Sequence, residues 1–207
     1  MRRLLTLVFV AWTASAADAL AQPGELIERT LAIVGTQVIT LGDARAAVRL
    51  GLVDAAPSAD AAGITQPLVD RELVLREVQR YAPPAPSESA VDARLDDIRK
   101  RVAGAAEMAR VLDETGFTEA RLRAWVRDDL RAVAYLAQRF ASASTPTDTE
   151  ISAAYTRQRA EFDRAGTTFE QAAPILRERL VVSRRRELIA DWVSDLRRRT
   201  DVVILVQ

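Results

Sequence analysis

Strand-forming sequence is confined to the two ends of this chain, and nearly everything between them is written at the helical period. Residues 27–34 and 37–40 are rich in Ile, Val and Thr and are separated by Gly35-Thr36, the spacing of a two-residue hairpin with Gly first. The other candidate is residues 202–206, a continuous apolar run after Asp201 that is short enough to be a buried strand. A hairpin alone is marginal in water, whereas three strands laid against helices are stable. The two ends are therefore predicted to meet in one small sheet. The expected fold is mainly α, a multi-helix core with a small β-sheet formed by the N-terminal hairpin and the C-terminal strand.

The helices can be placed from caps and breakers. Thr40, with Asp43 in the first turn, opens a helix to about Leu52, and residues 54–63, which include Pro57, read as a loop. The next helix, about residues 64–81, spreads Leu68, Val69, Leu73, Val74, Leu75 and Val78 around most of its wheel, which predicts a central position. Pro83, Pro84 and Pro86 break the chain, and Ser87 caps a polar helix through Arg101. Its Val91, Leu95, Ile98 and Val102 form one narrow stripe, enough for a single packing partner. A shorter helix, about residues 105–115, stops at Gly116, and Thr118 caps a long one from Glu119 to about Ala141. On the long helix Leu122, Val126, Leu130, Val133, Ala137 and Phe140 share a face, Trp125 lies at its edge and Tyr135 falls well away from it.

Thr147 with Glu150 forms a capping box for a helix to about Phe162, and Thr168 with Gln171 forms another for a helix to about Arg199, bent near its start by Pro174. The second half of this last helix places Val181, Val182, Leu188, Ile189, Trp192, Val193 and Leu196 on one side, with Arg185 inside the stripe. Tyr135 either packs on a second neighbour or presents an exposed binding aromatic. Arg185 is either a snorkelling stem in a satisfied ion pair or a ligand contact.

The first residues read as a leader rather than as fold. Arg2 and Arg3 precede an apolar run from Leu4 to Trp12, and Ala19-Leu20-Ala21 supplies an A-x-A cleavage site before Gln22. Residues 1–21 are thus expected to be a secretory signal peptide and residues 22–207 a single domain. The apolar run is too short to span a bilayer comfortably, which argues against stable membrane insertion, with an uncleaved anchor as the alternative. An exported chain without Cys draws its stability from packing alone.

Composition removes much of catalysis. The chain has no His and no Cys, so it carries no Ser-His-Asp triad, no Cys nucleophile and no imidazole or thiolate metal site. No catalytic residue, metal ligand or cofactor is expected. Asp96 with Asp97 and Asp128 with Asp129 are carboxylate pairs, but adjacent helical positions diverge by about 100° and do not face one another. The 29 basic and 29 acidic residues balance, which argues against a general nucleic-acid binder. All basic residues but Lys100 are Arg, and the arginine runs at 184–186 and 197–199 read as solvated helix faces.

The order of these segments resembles a family. The stretch RTLAIVGTQVIT from Arg29 to Thr40, then LVDRELVL from Leu68 to Leu75, is similar to the N-terminal part of the SurA-type periplasmic chaperones. So are PTDTEI from Pro146 to Ile151 with Tyr155 and Phe162, and the closing stretch from Phe169 through Leu180 and Trp192 to Val202 and Leu205. In that family one or more parvulin prolyl isomerase domains, with paired histidines, lie before the final long helix. Here the corresponding gap is residues 163–168 and there is no His, so the isomerase is expected to be missing. The resemblance implies an ATP-independent periplasmic chaperone whose partners are unfolded polypeptides, chiefly outer-membrane proteins, held in a crevice between helices. A structural or assembly factor of the cell envelope on the same fold is the alternative. Candidate client contacts on this reading are Trp125, Tyr135 and Trp192, with Arg185 as a polar neighbour.

Overall fold

The computed structural model describes residues 29–55 and 59–206. The leader assigned to residues 1–21 and the first two residues of the hairpin reading, 27–28, lie outside the described residues. In chain order the elements are β1 (Thr30–Val34), β2 (Gln37–Thr40), α1 (Leu41–Arg49), α2 (Ala61–Tyr81), α3 (Glu88–Arg101), α4 (Ala105–Thr115), α5 (Glu119–Arg139), α6 (Asp148–Arg157), α7 (Arg159–Ala165), α8 (Phe169–Arg198) and β3 (Val202–Ile204).

The two ends do meet. The strands run β2-β1-β3, antiparallel throughout, with Ile33 opposite both Val38 and Val203. The hairpin turns at Gly35, whose φ of +59° is open to glycine, and the Gly35 N–H donates to Asp201 O at 2.9 Å. The Leu205 N–H donates to Leu31 O at 2.8 Å, so pairing with the first strand continues just past β3.

Most caps act where the sequence places them. Thr40 Oγ1 accepts from Asp43 N–H while Asp43 accepts from Thr40 N–H, and Ser87, Thr118 and Thr147 each accept from the third helical residue. Three helix boundaries differ from the sequence reading by three residues or more. Helix α1 stops at Arg49 rather than near Leu52, because Gly51 turns left-handed and leaves the helix. Helix α2 begins three residues early, at Ala61, because Asp60 caps it through Gly63 N–H at 2.7 Å. The helix expected to reach Phe162 is broken at Gln158 into α6 and α7, which stacks Phe162 on Tyr155 with ring centroids 5.3 Å apart. In a straight helix residues seven apart are separated by about 10 Å of rise, too far for that stack.

Helix α2 is central, as its wheel predicts, burying Leu68, Val69, Leu73, Val74, Leu75 and Val78 against β1, α1, α5 and α8. Among the described residues the buried apolar side chains form three clusters. The first joins the sheet, α1, α2, the end of α5 and the end of α8; the second joins α1, α3, α4 and the start of α5 around Phe117; the third joins α6, α7 and the first half of α8 around Ile151, Phe162 and Leu176. Among the described residues no helix is long and apolar enough to cross a membrane.

Candidate functional site

Helix α5 passes from the second cluster to the first, and that passage opens a groove. Its first turns bury Leu122 and Val126 beside α3, and its last turns bury Tyr135 in the first cluster. The single apolar face expected on α5 is therefore not one buried face: Val133 is 65 % exposed and Leu130 half-buried. Helix α8 departs from its expected stripe in the same way. Trp192, Val193 and Leu196 are buried, Leu188 and Ile189 are half-buried, and Val182 is exposed.

Between these helices lies a cavity of about 770 Å³. Leu130, Ala132, Val133 and Leu136 of α5 form one wall, and Ile189, Ala190 and Val193 of α8 face them. Pro67 and Val74 of α2, Ile98 of α3 and Leu52 and Val53 of the loop after α1 extend the apolar lining. Ala132 and Ala190 keep the walls low. The volume falls within the ~300–1,000 Å³ typical of ligand cavities, room for a few side chains and too little for a folded domain.

Ion pairs edge this apolar lining. Arg71 Nε is 2.8 Å from Asp129 Oδ1, and its guanidinium stacks over Trp125 at 3.5 Å from the ring centroid. Arg197 of α8 pairs with Asp70 of α2. Burial pushes the Asp129 carboxyl up from its ordinary range, against the pull of Arg71. Glu72, one position along α2, is also pushed up by burial, with Arg71 and Arg76 opposing.

The four residues singled out from sequence are placed elsewhere. Tyr135 and Trp192 are each 8 % exposed and belong to the first cluster, their rings 6.2 Å apart. Tyr81 stacks on Tyr135 at 5.5 Å, Phe140 meets Trp192 edge-on at 5.9 Å, and the Arg139 guanidinium lies 4.9 Å from the Trp192 ring centroid. Trp125 is half-buried between Phe117 and Arg71, at the border of the first and second clusters. Arg185 is half-buried on α8, its Nε enclosed without a hydrogen-bond partner. The structure thus brings Tyr135 and Trp192 together as core, and the groove is lined by other residues. Val133, Leu130 and Ile189 were legible only as members of apolar stripes, a pattern that core residues share.

Among the described residues no group of three or more acidic side chains is placed to hold a metal ion. Compared with known proteins, the chain matches no family model and no curated protein.

Proposed function

We propose that the protein is an ATP-independent, SurA-like chaperone of the periplasm, without an isomerase domain, that holds unfolded or extended segments of outer-membrane or secreted proteins in the groove between α2, α5 and α8. The observation that carries this reading is an apolar cavity of about 770 Å³ whose wall includes the largely exposed Val133. A chain crossing an aqueous compartment unfolded exposes apolar strand faces that aggregate. A shallow apolar groove covers such faces by contact alone and releases them without nucleotide. Contiguous apolar surface of this kind on a monomer marks a binding site more often than chance exposure does.

The test is suppression of aggregation for several unrelated unfolded clients, with Val133→Asp and Val133→Leu compared with the unaltered chain. Val133 is exposed, so Val133→Asp is expected to change stability by no more than about 0.5 kcal/mol. Protection should fall sharply in Val133→Asp and persist in Val133→Leu, while prolyl isomerisation of a model peptide stays at the uncatalysed rate. Equal protection by the Asp variant would remove the groove from the mechanism. Protection of one client alone would favour a dedicated assembly factor.

A further inference from the structure

We infer that the segment taken by the groove carries a carboxylate flanked by apolar residues, and that Arg94 and Arg186 receive it; this rests on the groove reading above. Four arginines line the cavity, and two of them, Arg71 and Arg197, are already committed to Asp129 and Asp70. Arg94 on α3 and Arg186 on α8 are exposed, line the same cavity and have no carboxylate partner among the described residues. Asp54 is the one lining carboxylate without a cationic partner among the described residues, so the unpaired groups leave a net positive charge over an apolar floor. A neutral apolar segment would leave both guanidinium groups beside partly desolvated walls without a counter-charge. An acidic side chain supplies one, in the planar geometry that guanidinium prefers.

Arg186 also fixes where the acid falls in the segment. It stands at the junction of the groove with a shallower strip along α8 that carries the exposed Ile175 and Val182, where Glu178 and Arg179 offset one another in charge. A segment lying along both surfaces has apolar residues on either side of the position opposite Arg186.

The experiment measures fluorescence anisotropy of short labelled peptides on the full chain. The peptides share one alternating Val/Tyr sequence and differ at a central Asp, Asn or Lys. The Asp peptide should bind about fivefold tighter than the Asn peptide, with the Lys peptide weakest, a preference in the range of partly exposed ion pairs. In Arg94→Gln/Arg186→Gln the Asp advantage should shrink to less than about twofold, while the Asn peptide binds at least as tightly as before and the melting temperature stays unchanged. Equal binding of Asp and Asn peptides, or an Asp advantage that survives the double substitution, overturns the carboxylate inference. It leaves the groove reading intact if Val133→Asp still abolishes Asn-peptide binding. Failure of every peptide to bind overturns both. A dimer that the Asp peptide does not dissociate assigns the groove to a second copy of the chain and also overturns the inference.

Discussion

Arginine does two different jobs in this molecule, and the local surroundings decide which. On exposed helix faces, pairs such as Arg110 with Glu107 and Glu114 are screened by water and contribute little to stability. At Glu150 a single carboxylate serves three donors. It accepts from the Arg184 guanidinium and from Thr147 N–H and Oγ1, at 2.8 and 3.0 Å for the latter two, and the pairing with Arg184 does most to bring its pKa down to about 2. A carboxyl held below its ordinary 4.5 favours the fold above that pH, and the contribution fades as pH falls from there toward about 2. An NMR titration should place the Glu150 midpoint near about 2, and Arg184→Gln should raise it toward 4.5. A midpoint that the substitution leaves in place would mean that α6 and α8 are not joined through this pair in solution. Tyr135 shows the limit of reading single residues. Its position away from the apolar stripe of α5 is visible in the sequence, but the stacking of Tyr81 and the approach of Trp192 that bury it come from two other helices.

Short elements here depend on distant partners more than on their own length. Strand β3 has three residues and would not persist alone, yet it pairs with β1 in register and its continuation buries Val206 in the first cluster. Ending the chain at Asp201 removes those ladder bonds and that burial and uncovers the outer edge of β1. By the usual values for burial and net hydrogen bonding, the loss is about 3–5 kcal/mol. A urea unfolding midpoint equal to that of the intact chain would show that β3 contributes nothing. The α6–α7 break teaches the converse lesson. It goes with the packing of Phe162 onto Tyr155 and of Phe169 edge-on to the same ring at 5.3 Å, and no breaker residue stands at Gln158 to announce it.

At the scale of the whole molecule, α8 ties the third core to the first. Its 30 residues span about 45 Å. Its last turns sit in the first cluster beside α2, and its first turns carry α6 and α7 on the third cluster. Apolar clusters joined by one helix can open separately. Phe162→Ala should cost the third cluster about 3–5 kcal/mol. Amides of α6, α7 and the start of α8 should then exchange faster, while those of α2 and β1 keep their protection. Equal acceleration in α2 and β1 would mean that the clusters unfold as one unit.

The sequence by itself determined the elements whose causes are local or whose alternatives are few. Hydroxyl caps at Thr40, Ser87, Thr118 and Thr147, the glycine stop at Gly116 and the two-residue hairpin turn act within a few residues, so their chemistry is written where they act. The sheet was legible for another reason: strand-like runs occur only at the two ends, and a lone hairpin is marginal without a third strand. The tertiary structure alone decided which residues of the α5 and α8 stripes are covered. Val133 and Val126 lie on the same face of α5 at the same period, yet one is largely exposed and the other buried. Helical periodicity specifies the direction in which a side chain points. Whether another surface comes close enough to exclude water there depends on how α2, α3 and α8 pack around α5, and that distance is set by contacts remote from either valine.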